Sequence, residues 1–227
     1  GSFHEIDGFQ LSPEHNPLVK FLPIDIIYLI ALGIIVGVIA EFYTRYLMTM
    51  QKKASSIFGD KIVIKMTICG FVIGVLYALL PEAFHEFTEL DNLIIEGEAS
   101  AYLAAKTFLI MFITTGLAVA SGAPGGLFMP MLTLGAAVGL VFSGLLETSF
   151  GYYPTTLVYA SMGAFVASCS RTPLSAVFII FALTKNVLIL KPVLIACVFS
   201  YLVGRICNDQ SIYERQLSQK LQGELSS

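Results

Sequence analysis

The sequence predicts an all-α integral membrane protein whose helices include broken and half-length ones. Three observations carry that expectation. Hydrophobic residues make up 56% of the 227 residues and charged residues 13%, with a mean hydropathy of +0.79; a soluble domain carries about 25% charged residues. From Thr107 to Ser170 the only charged side chain is Glu147. Within that stretch, the proline- and glycine-rich run Ser121 to Pro130 (SGAPGGLFMP) interrupts the apolar pattern. A bilayer core offers no water to open backbone groups, so irregular chain at that depth persists only inside protein or along a polar cavity.

Taken in order, residues 1–21 form a polar, mildly acidic outer loop with Glu5, Asp7 and Glu14. The first span is expected over Leu22–Met50, uncharged from Ile26 to Ala40, and the second over Ile62–Leu80. The segment Pro81–Glu98 is acidic and polar; residues 99–120 form a third apolar helix that ends at Ser121. Leu127–Leu146, Thr155–Ser168, Thr172–Thr184 and Asn186–Cys207 follow, and Ser211–Gly223 reads as a charged tail helix. At a rise of 1.5 Å per residue, the segments 155–168 and 172–184 reach only about 20 Å, short of a roughly 30 Å hydrocarbon core. Half-length helices beside a break are a transporter or channel pattern. Tilted or interfacial short spans are the plainer alternative.

Gly33/Gly37, Gly70/Gly74 and Gly135/Gly139 are spaced for close helix contact and are read as packing positions. Cys69, Cys169, Cys197 and Cys207 show no C-x-x-C and no metal-ligand spacing, and read as buried small hydrophobes. Charge sets the orientation. Residues 45–65 carry Arg45, Lys52, Lys53, Lys61 and Lys65 against Asp60 alone, whereas 81–98 carries six acids and no Lys or Arg. The former is expected in the cytoplasm, the latter outside, and Arg205, Arg215 and Lys220 place the C-terminal segment 209–227 in the cytoplasm.

These features exclude several function classes. No basic run suggests nucleic acid, and the net charge of −3 names no partner. No G-x-S-G nucleophile, no membrane histidine and no pair of membrane aspartates is present, as an intramembrane protease would need; His4, His15 and His85 lie in outer segments. A transport protein without cofactor or metal, not an enzyme, is the expectation. Its site is the break. The helix following it begins at about Leu127, so its first-turn amides carry a partial positive charge suited to an anion. Gly125 and Gly126 permit close approach to the backbone, and Pro130 is tolerated in a first turn. A purely structural kink is the competing reading. Arg171, between two short helices, is expected to cap carbonyls or reach the interface, and Glu147 is given no role because a surface turn follows it.

Gly126-Leu127-Phe128-Met129-Pro130, preceded by Ser121-Gly122-Ala123-Pro124-Gly125, resembles the G-x-F-x-P motif of the CLC family of chloride channels and proton-coupled chloride antiporters. Ala160–Ala167 followed by Ser170-Arg171-Thr172-Pro173-Leu174-Ser175 is similar to a second family segment, and Ser211-Ile212-Tyr213 to the family's tyrosine after the last membrane helix. Met129 departs from the alanine common in the motif, and Ala182 from an acidic position. The resemblance covers the C-terminal half of the CLC membrane domain, so residues 22–208 are expected to form the second of two inverted repeats. The first-half motifs, G-S-G-I-P and the segment with the gating glutamate, are absent from this sequence.

By that resemblance, Gly126 and the Leu127 and Phe128 amides hold a dehydrated anion, and Tyr213 points its hydroxyl at the inner end of the path. From the residue alone, Tyr213 is as readily an interfacial anchor and Phe128 a core residue. The implied partners are chloride or a related halide, protons in an antiporter, the lipid bilayer, the missing N-terminal half and a second subunit in a homodimer. A fluoride-selective CLC-type antiporter, or another inverted-repeat anion transporter, are the alternatives. The last should show extra polar or cationic residues at the break, and SGAPGGLFMP has none.

Overall fold

The computed structural model describes residues 23–59, 62–78, 101–122, 126–150 and 154–225. All regular structure among them is helical: α1 (Pro23–Phe58), α2 (Ile62–Ala78), α3 (Ala101–Ser121), α4 (Phe128–Phe150), α5 (Pro154–Ser170), α6 (Pro173–Thr184), a 3-10 turn (Val187–Ile189), α7 (Leu190–Cys207) and α8 (Ile212–Leu225). The outer loop 1–21, the acidic segment and the three histidines lie outside the described residues. Four stretches are long and apolar enough to cross a membrane by length and composition: Ile26–Phe58, Ala104–Ser121, Phe128–Leu146 and Val187–Gln219.

Among the described residues the helices follow the sequence, but three boundaries move. The first helix continues to Phe58, because Gln51–Phe58 contains no glycine or proline to stop it; Gly59, with φ +51°, does. The fourth runs through Glu147 to Phe150, so that acid sits in a last helical turn and not before a turn. The expected 186–207 helix begins with a 3-10 turn, since the Asn186 side chain accepts from the Leu188 amide and holds the chain back from α-geometry at 2.9 Å.

The half-length pair is two helices. At the break, Arg171 has a left-handed φ of +61°, and Pro173 starts α6 at a position where a missing amide leaves nothing unpaired. Helix α5 is the centre of the molecule: every residue from Leu157 to Cys169 is buried. A helix apolar all round must be enclosed, and α4, α7, α1 and α6 pack around it.

Small residues let them approach. A Cβ on Gly135 or Gly139 would stand 2.7 Å from the Met162 or Val158 Cα of α5, and one on Gly33 2.7 Å from the Ala196 carbonyl oxygen of α7. Gly70 and Gly74 differ from the packing expectation: no described atom lies within 4 Å of either Cβ position, because α2 turns that face away from the other described helices. Across helices, Ser200 donates to the Ala164 carbonyl at 2.8 Å. Tyr43, Tyr46, Phe108 and Phe112 brace α1 on α3, with ring centroids 4.5 Å apart for Tyr46 and Phe112. Cys69, Cys169 and Cys197 are buried as expected; Cys207 is exposed, since it ends α7 on the side where Arg205 and Ile206 also face out.

Candidate anion site

Helix α3 stops abruptly. The Ser121 hydroxyl donates back to the Ala118 carbonyl at 2.7 Å, and the Gly122 amide to Val119 at 3.2 Å. Gly122 has φ +77°, a conformation that disfavours any side chain. Pro124 and Gly125 lie outside the described residues. The chain resumes at exposed Gly126, whose Cβ position meets no described atom within 4 Å, leaving the backbone open on that side.

Leu127 caps α4. Its carbonyl accepts the first helical bond, from the Met131 amide at 3.1 Å, and its side chain is buried in the core. Phe128 and Met129 are then the first two helical residues. Their amides have no carbonyl a turn earlier within the helix, and Pro130, third in the helix, has no amide at all. The amides that α4 itself leaves without an acceptor are those of Leu127, Phe128 and Met129, so Met129 joins the two named from sequence. The Met129 side chain itself is exposed, and that of Phe128 packs half-buried against the core. No acidic residue lies in the first turn to oppose an anion. One cation comes close: Lys65 of α2 brings Nζ to 3.6 Å from where a Cβ on Gly122 would stand. The local sequence of the break could not reveal a lysine 57 positions away.

Tyr213 stands at the start of α8. Ser211 and Glu214 form a capping box: the Ser211 hydroxyl accepts from the Glu214 amide at 3.3 Å, and the Glu214 carboxylate accepts from the Ser211 amide at 2.6 Å. Ile212 is buried and Tyr213 is 47% exposed. Helix α8 packs on α1 and α5.

Beside it is a charged cluster that reading the sequence passed over. Glu41, 95% buried along its side chain, accepts from three arginines. Arg215 grips it with both terminal nitrogens, at 3.1 Å and 2.9 Å; Arg171 donates to it at 3.0 Å, and the exposed Arg45 at 2.9 Å. Arg171 also donates to the Ser168, Gly204 and Asn208 carbonyls, the last two at 2.7 and 2.9 Å, so it does cap carbonyls as expected. A Cβ on Gly204 would collide with this guanidinium. A visible signal for the cluster existed: Glu41 is the first charge after the uncharged run Ile26–Ala40, with Arg45 one turn on. Glu147 lies in α4, but its side chain is outside the described residues.

Comparison with known proteins agrees on one family. A family profile described as voltage gated chloride channel matches residues 6–205. The H(+)/Cl(-) exchange transporter ClcA of Salmonella arizonae is 30% identical over 207 residues, covering 88% of this chain and 44% of that protein; the ClcA of Salmonella paratyphi B is 31% identical over 202 residues, with 86% and 42% covered. Among solved structures, a slow cyanobacterial Cl-/H+ antiporter superposes with a TM-score of 0.78 at 25% identity, over 90% of this chain and 49% of its own. A CLC-type fluoride/proton antiporter superposes at 0.71 with 20% identity, over 92% and 49%. The chain spans less than half the length of these ClcA relatives.

Proposed function

The chain belongs to the voltage gated chloride channel family and is an integral membrane protein, and on that premise we propose that it is the second inverted repeat of a chloride transporter of CLC type. The carrying observation is that α4 begins at a buried Leu127 directly after an irregular glycine-rich segment. In the complete subunit the Leu127, Phe128 and Met129 amides would then face the surface that the first repeat covers, where a dehydrated anion needs donors. Neutral amides suit transport because they bind without a full opposing charge, so the ion can leave again. Tyr213 adds one neutral hydroxyl at the inner end of the path. Chloride is the preferred anion, since the ClcA proteins named as chloride exchangers are 30–31% identical, whereas the likeness to the fluoride antiporter rests on the fold.

The complete subunit then contains a first repeat that supplies the gating and proton-carrying acids and covers the pore-facing surface of this one. Two such subunits form a dimer with one pore each. Residues 1–21 lie outside, 22–208 span the membrane, and 209–227 are cytoplasmic. The Glu41 cluster supports that orientation. Glu41 is 18 residues into α1, about 27 Å along its axis, roughly one hydrocarbon thickness from the start. It joins the end of α1 rich in Lys and Arg to α8, so both lie on one membrane face.

The test is Phe128→Pro. Proline is favoured at the first helical position and removes only an amide that the helix does not use. Hydrogen bonds to charged groups contribute about 1.5–3 kcal/mol, so chloride affinity in the complete transporter, measured calorimetrically, should fall about tenfold or more. Phe128→Leu, which keeps the amide, should change it only slightly. Equal affinities in the two variants would end the backbone-donor reading.

A further inference from the structure

We propose that Glu41 is a positioning residue for Tyr213: its buried carboxylate fixes the rotation of the tail helix and thereby aims the phenol at the inner end of the anion path. The inference rests on the reading of Tyr213 as an anion donor given above.

Helix α8 has few other means of holding a fixed rotation. It is 14 residues long, follows the non-helical stretch 208–211, and leaves Tyr213, Leu217 and Leu221 exposed. Its anchors are the buried Ile212, a 3.4 Å bond from Gln219 to the Met48 carbonyl, and the Arg215 fork on Glu41. The fork is the directional one. A bidentate guanidinium–carboxylate pair fixes a plane as well as a distance. Arg215 follows Tyr213 by two residues, about 200° around a helix of 3.6 residues per turn. Seating Arg215 against α1 therefore also fixes which way Tyr213, in the same first turn, faces.

The same carboxylate controls the start of the connection. Arg171, held by Glu41, binds the carbonyls of Gly204 at the end of α7 and Asn208 just beyond it, while Arg215 Nε donates to the Gln210 carbonyl at 3.2 Å. One acid thus governs both ends of the segment that leads into the tyrosine. The left-handed Arg171 links this knot to the α5–α6 break, and Gly204 is the residue that leaves room for its guanidinium. Glu41 neither needs to touch the anion nor is placed to attract it, because a carboxylate repels anions.

That sign makes the proposal testable. If Glu41 acted only through its field, Glu41→Gln would remove a negative charge, leave Arg171 and Arg215 less compensated and tighten chloride binding. Positioning predicts the reverse. In the complete transporter, chloride titration calorimetry should show Tyr213→Phe weakening affinity severalfold, Glu41→Gln weakening it by a similar factor, and the double variant no weaker than Tyr213→Phe alone within about twofold, since residues acting through one another are not additive. Affinity that is unchanged or tighter in Glu41→Gln while Tyr213→Phe is weakened overturns the proposal and leaves the Tyr213 reading standing. Multiplied effects in the double variant also overturn it. An unchanged Tyr213→Phe removes the Tyr213 reading itself, and the proposal with it. Should Glu41→Gln fail to fold, Arg215→Lys keeps the charge but loses the fork; it should weaken chloride binding in the native background and have no effect on top of Tyr213→Phe, and an effect in both backgrounds counts against positioning.

Discussion

The break at Ser121–Pro130 and the knot around Glu41 are two polar devices in one apolar protein, and they use opposite chemistry. The break offers backbone amides and no charged side chain of its own. The knot gathers one carboxylate and three guanidiniums, two of them 91% buried along the side chain. The difference fits the role proposed for each. A transport site has to release its ion, which favours several weak neutral donors over one strong charge. A joint that holds four chain segments in register gains from never releasing, and buried charges become very costly to separate. Paired charge marks the fixed part of this molecule; the proposed ion's place has backbone donors, with only the Lys65 ammonium of α2 nearby among the described residues.

The strongest way to break that comparison is Arg171→Ala. It leaves Glu41 one partner short, takes the guanidinium from the Ser168 and Asn208 carbonyls, and leaves Gly204 with the Asn208 amide alone. Removing one member of a buried ion pair costs about 3–5 kcal/mol, so thermal unfolding in detergent should shift down clearly. Phe128→Pro, by contrast, should lower anion affinity while costing less stability, since it loses only a half-buried ring at the edge of the core. If Arg171→Ala is as stable as the native protein, the knot is not a structural joint.

A smaller effect is expected at Tyr213. Tyr213→Ala removes one donor to the anion, but that side chain is 47% exposed and water replaces part of the bond, so chloride affinity should fall a few-fold to about tenfold. Glu147→Gln, in the last turn of α4 at the far end from the break, should leave that affinity near native. Titration of both variants with chloride or bromide checks the pair: unchanged affinity at Tyr213 with lost affinity at Glu147 would move the site to the wrong end of α4.

Most of the fold was legible because lipid-facing chemistry is written locally. Runs of apolar residues gave the helices, and Ser170–Pro173 gave the break between the two half-length ones. What sequence could not give was the partner of each face. Gly135 and Gly70 sit in the same G-x-x-x-G spacing, yet one touches the α5 backbone and the other meets nothing described. The site was half legible. The motif at Gly126–Pro130 is contiguous, so it shows itself in one dimension. The Glu41 knot joins residues 41, 171 and 215, and Lys65 reaches Gly122, through folding alone. Glu41 also adjoins Arg45 in the helix, which makes it look like an ordinary surface pair.

That resemblance to a surface pair yields the smallest predicted effect. Arg45 and Arg215 donate to the same carboxylate at nearly the same distance, 2.9 Å against 2.9 and 3.1 Å. Their surroundings differ: the Arg45 side chain is 63% exposed and that of Arg215 is 9% exposed. In water the Coulomb attraction is screened and the long side chain loses entropy on being held, so an exposed pair contributes little. Out of water, the Arg215 pair gains strength and its loss strands a buried charge. Arg45→Ala should therefore leave the melting temperature unresolved from native, while Arg215→Ala lowers it markedly. Equal shifts from the two would mean that the carboxylate is wetter than its burial implies, and that the knot is held by charge count instead of by exclusion of water.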